Sequence, residues 1–346
     1  MDQHKTIRTY SEAVAIVTVL LLISTTAFAA SGYHVVNKLL LGGEGGWDYL
    51  TVDSTAHRLY ISRSTHVMVI DIMTNKVIGD IPDTPGVHGI ALAPELSLGF
   101  ISNGKANTAS IFDLNTLKVI RQVKTGENPD AILYEPTYNK VFTFNGKSKD
   151  ATVFEATSGM VLGTIALGGK PEFATTDNEG RVFVNIEDTN EVVELDSKKL
   201  TISKRYSLNP CEEPSGMAID IKHHRLFSGC HNEVMAVLDV ESGKVIATVP
   251  IGKGVDANAF DAETGLAFSS NGEGTLTVVR ESSPGKFAAE TVPTQRSART
   301  MAIDTKSHKL YLPIAEFAPV PATPAGGPKQ RPAIIKDSFT VLVVGR

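Results

Sequence analysis

Seven polar residues recur along this 346-residue chain at intervals of about 42 residues. They are Asp48, His88, Asp130, Glu172, Ser215, Asp256 and Arg299, and each opens a short segment of similar text. Four carboxylates, an imidazole and a guanidinium gathered at one point support two kinds of chemistry. Carboxylates with an imidazole could hold a divalent metal ion: oxygen ligands suit calcium or magnesium, and histidine favours zinc or another transition metal. A bound metal would then activate water, for example to hydrolyse a lactone. Alternatively, the mixture of Asp, His and Arg binds a small polar ligand or a peptide without turnover. The plainest alternative is a wet, polar rim that binds nothing. A second set follows one hairpin later: Arg63, Asn103, Asn145, Asn185, Cys230, Asn271 and Glu316, with Glu187 and His231 beside it. The expected ligand site is therefore Asp48, His88, Asn103, Asp130, Asn145, Glu172, Asp256, Asn271, Arg299 and Glu316. The metal candidates are Asp48, His88, Asp130, Glu172, His231 and Asp256, and no catalytic residue is assigned.

What must position these residues is a repeat. DYLTVD at 48–53 recurs as HGIALA, DAILYE, EFATTD, SGMAID, DANAFD and RTMAID, ending at residues 53, 93, 135, 177, 220, 261 and 304. A period near 42 with only short apolar runs indicates four-stranded propeller blades, not helical repeats. In one unit, 88–93, 98–102, 109–114 and 118–124 read as strands with turns between them. The first strand of each unit is rich in small residues (Gly89, Ala91, Ala131, Gly216, Ala257, Ala302), as expected where strands crowd an axis. The last unit has strands at 300–304, 309–313 and 339–344 and lacks a fourth, which 33–42 supplies. The fold class is thus all-β: a seven-bladed β-propeller of four-stranded blades, the last blade closed by the N-terminal strand. Closure removes the exposed sheet edges that template aggregation. The starts of the first strands and the ends of the second strands share one face, around the mouth of the central channel. A proline-rich insert, 317–338, interrupts the last blade.

The second strands read YISR (60–63), FISN (100–103), FTFN (142–145), FVN (183–185) and FSSN (268–271), and GKVIATVPIG (243–252) follows a third strand. This text resembles the YVTN-repeat β-propeller family, the YncE-like exported propellers, over nearly all of 33–346. Blades five and seven depart from the motif at FSGC (227–230) and YLPI (311–314). The resemblance implies a periplasmic or secreted propeller and no single reaction; related propellers include binding proteins, lactonases and lyases. The WD and Gly-His signatures of WD40 blades are absent, and a lone Trp47 rules out the tryptophan-rich quinoprotein pattern.

Export is also legible directly. Lys5 and Arg8 precede an apolar run at 13–23, too short to span a bilayer of about 30 Å, and Ala27-Phe28-Ala29 supplies a cleavage signal after Ala29. A signal peptide over 1–29 leaves 30–346 as the propeller, periplasmic or secreted, with no stable membrane insertion. A net charge of −5 gives no basic field for nucleic acid. A monomer is expected, with a small polar ligand or a protein or peptide as its partner. In an oxidising space Cys211 and Cys230, the only cysteines, are expected to pair; the alternative is free thiols, or a zinc or copper site with His231. Asp71, Asp113, Glu155 and Asp239 close third strands, where a carboxylate caps the following turn. Gly42 to Gly46 is read as a flexible connector, since a phosphate loop needs a following helix.

Overall fold

The computed structural model describes residues 30–319 and 332–346. The expected signal peptide and most of the proline-rich insert lie outside the described residues. Ser31–Arg346 forms one compact unit. It contains seven four-stranded antiparallel sheets. The inner strands are Leu50–Asp53, Val87–Ala93, Pro129–Glu135, Pro171–Thr176, Pro214–Asp220, Val255–Asp261 and Ala302–Asp304, in blades one to seven. Each contacts the next, and the last contacts the first, so the ring is closed. In blade seven the outer strand is His34–Leu40, paired with Thr340–Gly345. The N-terminal strand therefore closes the ring. Among the described residues no helix is long and apolar enough to cross a membrane.

Among the described residues the apolar side chains do not gather into a single central core. Seven apolar clusters form instead, each wedged between two neighbouring blades. Phe100 and Phe154 meet in the wedge between blades two and three, and Tyr60 and Phe112 in that between one and two. Face-to-face sheet packing of this kind fixes each blade only by its neighbours, so the inner ends are held by the whole circle.

Turn chemistry follows the sequence. Asp71 Oδ1 accepts hydrogen bonds from the Met73 and Thr74 amides at 2.9 and 2.8 Å. Asp113 does the same for Asn115 and Thr116, and Glu155 and Asp239 accept from Ser158 and Ser242. Cys211 and Cys230 are disulfide-bonded, with Cα atoms 5.6 Å apart. No thiol is left for the zinc or copper alternative with His231. A bridge closing a loop of about 20 residues is worth about 3 kcal/mol in the chain-entropy account.

Two positioning devices have no local sequence signal. A basic residue opening a second strand reaches the third-to-fourth-strand corner of the next blade. Arg58 donates to the Leu114 carbonyl, Lys140 to that of Ser197, Arg181 pairs with Glu241 and Arg225 with Glu281. The second device concerns Arg63, expected at the channel mouth. It is fully buried and lies 3.7 Å from the Phe339 ring, donating to the carbonyls of Gly42, Glu44 and Gly45. The glycine-rich connector is therefore pinned, not free. Gly45 has φ 93°, and a Cβ there would lie 2.7 Å from the Arg63 carbonyl oxygen.

Candidate functional site

The mouth residues sit where the inner strands begin, and irregular pairing marks those starts. Register shifts fall between Val87 and Ile90, Pro129 and Ile132, Pro171 and Ala174, and Pro214 and Met217. Polar residues near the ends of second strands then hold the mouth backbone. Ser62 Oγ accepts from the Asp48 amide at 2.8 Å. Ser102 donates to the Asp130 carbonyl, Asn185 to that of Ser215, and Ser270 to that of Arg299. The recurrent polar residue of the second strand is thus a support for the site.

The side chains form one continuous chain across five blades. Asp130 Oδ1 lies 3.6 Å from His88 Nδ1, which lies 2.6 Å from Asp48 Oδ2. Asp48 Oδ1 is 3.6 Å from Arg299 Nη2, whose Nη1 is 3.0 Å from Asp256 Oδ2. On blade four, Lys170 Nζ is 2.5 Å from Glu172 Oε1 and also bonds Glu187. Ser215 is buried and joins no ion pair among the described residues. The His88 ring lies over Gly104, where a Cβ would fall 2.7 Å from Cδ2 and Nε2.

Five carboxylates therefore face two permanent cations and one imidazole. Protons relieve the excess. Burial pushes Asp130 up to about 6, with His88 opposing and Asp48 adding to the shift. Burial pushes Asp256 up to about 6 against Arg299. Burial and the nearby Asp130 push Glu172 up to about 8, against Lys170. Burial alone would lower His88, but its bond to Asp48 and the charges of Asp130 and Glu172 raise it. Burial also works against Glu187, yet Lys170 holds it below its usual value.

A stability prediction follows. The fold raises the Asp130 pKa, so the folded state holds that proton more tightly than the unfolded chain. The cost is absent below about pH 4 and present above about pH 6. Asp130→Asn is expected to add about 1 kcal/mol of stability at pH 8, discounted for a wet mouth, and nothing at pH 4. Thermal melting at the two pH values checks this; an equal shift at both would contradict it.

The other expected site residues divide. Asn103, Asn145 and Asn271 are fully buried. Their amides donate inward, to Thr108 and Ser110, to Asp150 and Thr152, and to Thr275 and Thr277. They support the strands and expose no surface at the mouth. Glu316 is exposed and lines a groove with Gln295, Arg296 and Phe317, which none of the mouth carboxylates lines. His231 bonds Glu213 at 3.1 Å and groups with Glu187, apart from His88. Of the metal candidates, only Asp48, His88 and Asp130 bring ligand atoms within 4.8 Å of one another. Asp256 is engaged by Arg299 and Glu172 by Lys170. Lys170 joins the mouth without having been expected there; it precedes the repeated segment.

No protein-family profile matches the sequence, and no curated protein does. Among solved structures the chain is similar to hydrazine synthase of Kuenenia stuttgartiensis, at 16% identity and a TM-score of 0.50. The likeness covers 73% of this chain and 99% of that one. At this identity it speaks for the fold alone, and the fold is a seven-bladed β-propeller.

Proposed function

We propose that the protein is an exported binding propeller of the YVTN-repeat kind that takes a positively charged ligand at the mouth of its channel. The observation that carries this is the unequal charge of the mouth: Asp48, Asp130, Glu172, Glu187 and Asp256 against Arg299, Lys170 and His88. A cation there replaces the protons that burial leaves on Asp130, Glu172 and Asp256, and its attraction offsets the cost of charging these buried acids. The recurrent second-strand text supports the family, and the disulfide is in keeping with an oxidising compartment. Titration calorimetry with calcium, spermidine and tetramethylammonium, with citrate as the anionic control, tests the reading. At least one cation is expected to bind and to weaken about tenfold or more in Glu172→Gln, equivalent to about 1.4 kcal/mol. Preference for citrate, or no binding by any cation, overturns it.

One observation favours a second reading. The Asp48, His88 and Asp130 cluster has the donor set of a metal site that activates water. A metal-dependent hydrolase would retain a stoichiometric ion through dialysis and lose lactone hydrolysis in His88→Ala. Metal-free protein that hydrolyses no lactone with added zinc, calcium or magnesium would dismiss it.

A further inference from the structure

The residue that follows each mouth position along the chain is Tyr49, Gly89, Ala131, Phe173, Gly216, Ala257 or Thr300. Five are small, as the axis of a propeller demands. At Gly216 an added Cβ would lie 2.6 Å from the backbone of Ala257 and Asn258. The two exceptions are aromatic and stand on blades one and four, on opposite sides of the ring. Their rings meet across the channel, centroids 5.1 Å apart and planes tilted by 32°. Each is only partly buried. The channel is bridged at this level, so the mouth is a cup with a charged wall and an aromatic floor.

The two rings also line a largely apolar pocket of about 250 Å³, with Ile90, Leu92, Leu133, Thr51 and Tyr134. Among the described residues the Tyr49 side chain makes no hydrogen bond. Burial, then Asp130, Glu172, Asp48 and Asp256, hold its hydroxyl well above the usual tyrosine value, so it stays neutral. The floor therefore offers carbon surface and one neutral hydroxyl. A calcium ion seeks six to eight oxygen ligands, and a floor of ring carbon supplies almost none. An ammonium ion bearing methyl or alkyl groups has the opposite needs. Its charge is spread, it requires no coordination shell, and its carbon surface gains by leaving water.

Resting on the cation-binding reading above, we infer that the ligand is an organic ammonium ion, its charge held by the ring of carboxylates and its apolar groups seated on Tyr49 and Phe173. Arg299 and Lys170 do not fill this role, because each is already tied to two carboxylates at the wall. The Tyr49–Phe173 pair sets the class of ligand, and the carboxylates set its sign.

Calorimetry on the full chain, with ammonium and tetramethylammonium chloride at equal ionic strength, compares two ions of the same charge. Tetramethylammonium is expected to bind about tenfold or more tightly than ammonium. Tyr49→Leu and Phe173→Leu are each expected to erase most of that preference, and Tyr49→Phe to keep it. Thermal melting verifies that the variants fold, and the wild-type comparison stands if either does not. Equal affinity for the two ions, or a preference untouched in both leucine variants, overturns the inference. If calcium or spermidine then still binds, the cation reading survives alone; if no cation binds, both fall.

Discussion

The affinity of the mouth for a cation is expected to rise about 100-fold between pH 6 and pH 8, because roughly one proton leaves as the cation enters. The sign follows from the raised carboxyls. Glu172 titrates near 8, and Asp130 and Asp256 near 6, because burial and mutual repulsion favour the neutral acids. A cation at the mouth favours the charged forms and expels those protons. Each proton released multiplies the affinity by about ten per pH unit, over the interval where the free protein still holds it. His88 adds to the slope, since its raised pKa makes it a competing positive charge at the lower pH values. Asp48 completes the charged lining, and Lys170, Glu187 and Arg299 keep their charges across this interval, since their ion pairs raise the two cations and lower the glutamate.

Glutamine at position 172 separates the contributions. Glu172→Gln is expected to flatten the rise above about pH 7 and to leave the rise near pH 6, where Asp130 and Asp256 titrate. Calorimetry with tetramethylammonium in buffers of different ionisation heat counts the protons. Affinity that is flat, or that falls as pH rises, would contradict the assignment of these carboxyls to the cation site.

The ring was legible because an inner strand crowded by its neighbours requires small residues, and that requirement recurs with the blade. Asp48, His88 and Asp130 were legible for the same reason: a position fixed by the repeat is fixed in space. Asn103, Asn145 and Asn271 misled because successive strand residues face opposite ways, and nothing local tells which face is the channel. Their amides point to third-strand hydroxyls. Arg63 stands at the same place in its repeat and folds under the seam. Tyr49 and Phe173 look like ordinary apolar residues of inner strands. Their meeting is a property of the closed ring, since blades one and four touch only across its axis. Cations that lace blade to blade, such as Arg58 and Arg225, escape detection because their partners lie more than fifty residues away.

Replacing Arg63 by alanine is expected to cost about 4 kcal/mol of unfolding free energy. The guanidinium is wholly buried and, among the described residues, pairs with no carboxylate, and burial lowers its pKa to about 10. Its hydrogen bonds to Gly42, Glu44 and Gly45 hold the link between the closing strand of blade seven and the inner strand of blade one. Charge-assisted bonds of this kind contribute about 1.5–3 kcal/mol each, and the cost of stripping water from the cation takes back part of the sum. Alanine also leaves a cavity against Phe339, which packs on Trp47 with ring centroids 5.4 Å apart. Arg63→Met refills that volume without the donors and is expected to recover about half the loss. Asp48 follows Gly46 by two residues, so the slackened connector should also weaken tetramethylammonium binding while leaving Tyr49 and Phe173 unchanged in sequence. Urea denaturation of both variants measures the effect. A loss below about 1 kcal/mol in alanine, or a methionine variant as stable as wild type, would show that the seam is closed by blade packing and not by the buried cation.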